Sequence, residues 1–137
     1  MSAYRPTQRT LIDVLEGAAA RYGGQPAVRL RHDDGTIMTW SYRELDRRSR
    51  LVAWRLRSRG LMPGHRLLTW SPSGPELAAV YFGAMRAGVI YVPLDLTMAP
   101  DAIRRIADMR CWRIASKTTR GLRLRMYRMS APRSSVR

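Results

Sequence analysis

Apolar positions recur along the first hundred or so residues in two rhythms, one helical and one alternating, and they divide the chain into short helices and strands. Thr10 opens the first helix as an N-cap, with Asp13 as a shortened capping-box partner. Leu11, Val14, Leu15 and Ala18 follow at helical spacing until Gly23-Gly24 stops the run. From Ala27 to Arg31 apolar residues alternate with Arg, the pattern of a half-buried strand. Asp34-Gly35 signals a hairpin, and Ile37 to Trp40 supplies the returning strand. Ser41 then caps a second helix, with Glu44 in the reciprocal capping-box position. Leu45, Ser49, Val52 and Leu56 fall in one narrow sector of that helix, with Ala53 at its edge, so this is the face expected in the core. Arg47, Arg50, Trp54 and Arg57 occupy the far side, and Gly60 is placed to end the helix in the left-handed conformation.

Pro63-Gly64 makes a turn, and Arg66 to Trp70 reads as a strand. Ser73 is expected to begin the next helix, with Pro75 in its first turn and Glu76 completing a second capping box. From Leu77 to Met85 that helix is apolar on most sides and is expected to be buried. Gly88 ends it, and Val89 to Val92 follows as an apolar strand closed by Pro93. Strand, helix and strand with tight joints form a βαβ unit, whose strands are expected to be parallel and its crossover right-handed. Pro100 opens a final helix to about Met109, and Trp112 to Ala115 reads as a third parallel strand. Beyond Gly121 the period-2 stretch through Leu122, Leu124 and Met126 has no evident partner, so a disordered segment is expected there. The fold class is thus α/β: a β-hairpin, a parallel βαβ unit and flanking helices, followed by a disordered basic tail. The expected organisation is a flexible 1–9, a domain over 10–115 and a tail over 116–137.

Charge sharpens the division. The 137 residues carry a formal charge of +15, and the last 28 hold nine basic residues and no acidic one. Every basic residue but Lys117 is Arg, the bias of a GC-rich gene, and an out-of-frame or prematurely ended sequence after about residue 110 accounts for such a tail. Translation of the neighbouring reading frame tests this. Cys111 is the only cysteine, so no internal disulfide forms. Met1 to Arg9 lacks the apolar region of a signal peptide, and no apolar run approaches the roughly 18 residues of a membrane span. A cytoplasmic protein without membrane contact is expected.

Three stretches, Thr39 to Leu45, Gly60 to Leu67 and Phe82 to Asp95, carry a likeness in order and spacing. Together they resemble the adenylate-forming ligase superfamily, which contains acyl-CoA synthetases, peptide-synthetase adenylation domains and luciferases. Thr39-Trp40-Ser41-Tyr42-Arg43-Glu44-Leu45 is similar to its T-Y-x-E-L motif. Gly60-Leu61-Met62-Pro63-Gly64-His65-Arg66-Leu67 is similar to G-V-x-P-G-D-R-V, with His65 in place of Asp. Phe82 to Asp95 is similar to G-x-L-K-A-G-G-x-Y-V-P-L-D, with Val89 in place of the second Gly, and Ser73 stands near a position where Asn commonly precedes the helix. The resemblance covers roughly residues 8 to 115 and implies the N-terminal part of the large adenylate-forming domain, truncated. It implies that full-length relatives join a carboxylate to AMP from ATP with Mg²⁺, then pass the acyl group to CoA or a carrier thiol. It also implies a Gly-rich phosphate loop, an acidic residue for the ribose and a C-terminal lysine. Ser116-Lys117-Thr118-Thr119-Arg120-Gly121 has the composition of such a loop without its order or glycines. No cofactor is therefore expected to bind this chain, and adenylation activity is not expected of it.

Individual residues reinforce that reading. In the best-matched motif Pro93 is expected to end a strand, Asp95 to accept backbone hydrogen bonds in the following turn, and Tyr91 to serve the scaffold. His32, His65 and Cys111 are isolated, so no metal site is expected; each His reads as a loop residue and Cys111 as a buried thiol. Asp33 and Asp34 belong to the hairpin turn. The face formed by Arg47, Arg50, Trp54 and Arg57 reads as an amphipathic helix showing Arg to solvent, the alternative being anion binding or base stacking. No residue takes a catalytic, cofactor-binding or metal-ligating assignment. The competing function is a small basic module for nucleic acid or an acidic partner, motivated by the arginines of 110–137 and distinguished by steeply salt-dependent DNA binding that is lost with the tail. Marginal stability and self-association through unpaired sheet edges are further expectations.

Overall fold

The computed structural model describes residues 10–108, 112–118 and 121–123. Thr10 caps α1 (Leu11–Tyr22) with the full reciprocal box: its hydroxyl accepts from the Asp13 N–H at 3.1 Å, and Asp13 accepts from the Thr10 N–H at 2.9 Å. Only Leu15 of its apolar stripe is fully buried, and Leu11 and Val14 stay about half exposed. β1 (Pro26–Arg31) and β2 (Ile37–Ser41) form the expected antiparallel hairpin, with one irregularity in register between Pro26 and Val28. The tight turn is held by the His32 N–H donating to the Thr36 carbonyl at 2.8 Å, and by the Asp34 carboxylate accepting from the Thr36 amide and hydroxyl.

α2 (Tyr42–Ser58) and α3 (Pro75–Arg86) end in the same way. After α2, the N–H of Gly60 (φ 79°) reaches the Arg57 carbonyl and that of Leu61 the Leu56 carbonyl; after α3, Gly88 (φ 71°) and Val89 reach Met85 and Ala84. Each is a Schellman motif, which needs a residue at positive φ and an apolar contact across the end. Leu56 with Leu61, and Ala84 with Val89, provide buried residues on the two sides of each end. The helix starts depart from the expectation. Ser41 accepts from the Glu44 N–H at 3.2 Å, yet Glu44 does not complete the box, because Arg47 and Arg48 engage its carboxylate. α3 has Gly74, not Ser73, as its N-cap, with Pro75 at the first helical position and no side-chain cap bond, so the second capping box does not form.

The sheet order is β4-β3-β5-β6, where β3 is Arg66–Trp70, β4 Ile90–Pro93, β5 Trp112–Thr118 and β6 Gly121–Arg123. β3 pairs in parallel with both β4 and β5, so the βαβ unit and the third parallel strand stand as expected. The chain reaches β5 from β4 through α4 (Pro100–Asp108). β4 is an edge strand with Ile90 48% exposed, the open sheet edge that was expected. The segment expected to lack a partner begins with β6, which pairs antiparallel with β5, and β5 itself runs past the expected boundary at residue 115. Residues 124–137 lie outside the described residues, as do 1–9.

The core lies where α2 and α3 cross, with the hairpin beside them. Leu45, Ser49, Val52, Ala53 and Leu56 are all buried, as their sector requires, against Leu67, Ala79, Val80 and Ala84. The helices approach so closely that a Cβ on Gly83 would stand 2.5 Å from Val52 Cγ1, 2.6 Å from Val52 Cβ and 3.0 Å from the Ser49 carbonyl. Gly costs about 1 kcal/mol against Ala inside a helix, so its presence here follows from packing. Gly83→Ala is expected to destabilise by about 2 kcal/mol net, because Val52 Cβ and a main-chain carbonyl have no rotamer through which to yield. Urea unfolding measures this, and a gain in stability would show that the helices part easily.

Candidate functional site

In an open parallel sheet the carboxyl ends of the strands are where loops leave space for a ligand. A cleft of about 260 Å³ lies there, lined by Thr69 from the end of β3, Ser71 and Ser73 before α3, Leu77 of α3, and Pro93 to Leu96 after β4. The Leu94 N–H donates to the Thr69 carbonyl at 2.8 Å and ties the two strand ends together. Thr69 is buried, and its hydroxyl has no hydrogen-bond partner among the described residues. Among the described residues the cleft offers hydroxyls, the Asp95 carboxylate and apolar walls, but no cation. It suits a neutral polar group better than a phosphate, whose charge nothing in it would neutralise.

The best-matched motif divides its work. Tyr91 packs edge-on against Tyr81, with ring centroids 5.2 Å apart, while Pro93 and Asp95 form one wall of the cleft. Asp95 accepts from the Thr97 amide and hydroxyl, each at 2.8 Å, and these bonds lower its pKa below the ordinary carboxylate value. It is the turn acceptor its sequence context implied. His65, in place of the usual Asp, accepts the Met62 N–H on Nδ1 at 3.1 Å, so the substitution retains an acceptor for the turn amide. His32 sits half-buried in the hairpin turn. Among the described residues no group of three or more His, Cys, Asp or Glu stands together. Cys111 lies outside the described residues. Ser116, Lys117 and Thr118 are in β5 and Gly121 opens β6, with Lys117 opposite Leu122. Their main chain is engaged in the β5–β6 ladder, and Thr119 and Arg120 lie outside the described residues.

The outer face of α2 shows Arg47, Arg50, Trp54 and Arg57 to solvent, as expected, and also ties several of its arginines into ion pairs. Arg47 and Arg48 both donate to Glu44, and Arg48 also lies over the Trp40 ring, 4.2 Å from its centroid. Arg50 pairs with Asp46 at 3.0 Å and with Glu16 of α1 at 2.8 Å. Arg86, 9% exposed and given no role of its own in the sequence reading, sits at the centre of this network. It donates Nε to Ser49 at 2.9 Å, Nη1 to Glu16 at 2.5 Å and Nη2 to Asp46. Ser49 in turn donates to the Asp46 carbonyl at 2.8 Å, which satisfies the one hydroxyl in the apolar sector of α2. Its basic position within the third motif was the only sequence signal for Arg86.

These contacts set the acid dependence of stability. Hydrogen bonds from Arg47, then Arg48, hold Glu44 down from 4.5 to about 2. Arg86 lowers Glu16, and Thr36 lowers Asp34. A depressed folded-state pKa gives stability that is fully present above the unfolded value and is lost as pH falls through the folded one. The urea midpoint is therefore expected to hold steady above about pH 5 and to drop between about pH 4.5 and 2, less steeply in high salt. Equal midpoints at both ends of that range would show that the pairs do not persist in solution.

The AMP-binding enzyme family matches residues 15–112. The chain is 39% identical over 84 residues to the salicyl-AMP ligase / salicyl-S-ArCP synthetase of Mycobacterium tuberculosis, covering 61% of this chain and 15% of that protein. It is 38% identical over 72 residues to the 3-hydroxybenzoate–CoA/4-hydroxybenzoate–CoA ligase of Thauera aromatica, covering 52% and 14%. Its fold matches a fatty acyl-adenylate ligase from Legionella pneumophila, solved with acyl adenylate and pyrophosphate, at a TM-score of 0.73 and 22% identity over 82% of this chain and 20% of that one. The region matched is the N-terminal part of the adenylate-forming domain. The chain thus spans a fifth or less of each of these proteins.

Proposed function

Because the chain belongs to the AMP-binding enzyme family, we propose that it is the opening scaffold of a carboxylate-activating ligase and does not activate a carboxylate by itself. The observation that supports this reading is the cleft at the ends of β3 and β4: it stands where an α/β sheet accepts ligands, yet no cation lines it among the described residues. Ser116 to Thr118, part of the stretch nearest in composition to a phosphate loop, are strand, and no acidic cluster fit for a magnesium ion occurs among the described residues. The described residues therefore do not fit ATP and its metal. In a whole enzyme that chemistry would come from the portion of the relatives beyond the stretch matched here, as would the choice of carboxylic acid.

No helix among the described residues is long and apolar enough to cross a membrane. The nucleic-acid alternative finds little in the body of the chain, since Arg47, Arg48, Arg50 and Arg86 are all engaged by carboxylates. The test is acid-dependent release of pyrophosphate from ATP by the purified chain, offered benzoate, salicylate and octanoate. No release above a no-acid control is expected. Release that scales with this chain through purification would overturn the proposal.

A further inference from the structure

An exposed tryptophan beside an unpaired arginine marks a second surface, remote in composition from the cleft. Trp54 on α2 is 64% exposed, and Leu51, one turn earlier on the same side of the helix, is 41% exposed. Trp54 forms one wall of a groove of about 400 Å³ between α1 and α2, whose other lining residues are Ile12, Arg50, Ala53, Arg57 and Arg86. Two of its three arginines are neutralised: Glu16 and Asp46 together engage Arg50 and Arg86. Arg57 differs. Its Nη2 donates to the Arg86 carbonyl at 2.5 Å, and it has no carboxylate partner among the described residues. The groove therefore presents an aromatic wall, an apolar floor from Ala53 and Ile12, and one uncompensated positive charge at its rim.

We propose that this groove docks an acidic amphipathic segment of a partner protein, with an apolar side chain against Trp54 and a carboxylate on Arg57. Trp and Arg are the residue types that dominate the energetics of protein interfaces, and a large apolar side chain kept in water beside a groove is what such a site looks like when empty. Charge complementarity selects the occupant. A nucleic acid brings a phosphate with every nucleotide and needs several free cations, whereas this groove has one and carries the Glu16 and Asp46 carboxylates beside it. A peptide with a single well-placed carboxylate meets Arg57 without facing that repulsion, and its aliphatic side chain fills the floor that a base edge would leave unsatisfied.

The experiment measures fluorescence anisotropy of a fluorescein-labelled peptide of about fifteen residues, with Leu at helical spacing, one central Glu and Gln elsewhere, titrated with the full chain at about 0.15 M salt. Trp54→Ala and Arg57→Glu are each expected to weaken binding by about tenfold or more, and Arg57→Gln by a lesser factor. Arg55→Glu makes the same charge change on the other side of α2, outside the groove, and is expected to alter binding by less than about threefold. Thermal melts show that each variant is folded, which the exposure of these positions favours. Equal weakening by Arg55→Glu and Arg57→Glu would overturn the proposal, because only net charge would then matter. Wild-type affinity in Trp54→Ala would also overturn it, as would a labelled oligothymidine that binds through Trp54 and Arg57 where the peptide does not.

Discussion

Arg86→Ala is expected to lower folding stability by about 3 kcal/mol, among the larger losses available to this chain. The guanidinium is 9% exposed and bridges three elements, to Glu16 on α1 and to Ser49 and Asp46 on α2. Removing one member of a buried ion network costs about 3–5 kcal/mol where the remaining charges are left uncompensated; here Arg50 still pairs with Glu16 and Asp46, and their exposure of 41% and 17% also places the effect at the lower end. Arg86→Lys is expected to recover only part of the loss, since one ammonium cannot reproduce a planar fork directed at three acceptors. The pH dependence identifies the cause. Arg86 is the main reason that the Glu16 pKa is lowered, so the gap between wild type and variant should narrow as pH falls below about 4.5. Urea unfolding at pH 7 and pH 3.5 decides the matter: a gap that is unchanged or wider in acid would assign the loss to packing and not to charge.

Leu56→Ala is expected to cost about 2–5 kcal/mol, and Trp54→Ala, two residues away, less than about 1 kcal/mol. Leu56 is 1% exposed and packs in the core at the end of α2, where the main chain also closes the Schellman motif on Leu61. Truncation there opens a cavity at the α2–α3 contact, which helix ends fixed by their caps are poorly able to close. Trp54 is mostly in water and loses little burial. Chemical denaturation of both variants measures the contrast, and equal losses would mean that α2 is rotated from the phase described. The same contrast separates folding from docking, since Trp54→Ala should weaken the groove's peptide while leaving the fold intact.

The sequence by itself determined most of what is local. Helical and alternating periods located the helices and strands, and left-handed glycines marked both Schellman ends. The packing sector of α2 followed from Leu45, Ser49, Val52 and Leu56 alone, because side-chain direction on a helix repeats within a few residues. The role of Asp95 was legible for the same reason: its partner is Thr97, two residues on. Local competition was less legible. Ser41 and Glu44 have the form of a capping box, but Arg47 and Arg48 offer Glu44 charged donors that a main-chain amide does not outbid.

What only the tertiary structure decided involves residues distant in sequence. Arg86 finds Ser49, Asp46 and Glu16 at separations of 37, 40 and 70 residues, and no pattern in a short window announces such a meeting. Gly83 reads as an ordinary small residue until α2 is laid against it. The place of β4 at the edge, and the pairing of β6 with β5, follow from strand order, which apolar runs do not encode. The physical reason is common to all of these. Hydrogen-bond and steric preferences within one turn act whatever the rest of the chain does, whereas burial, ion pairing and strand neighbours exist only after segments far apart have been brought into contact.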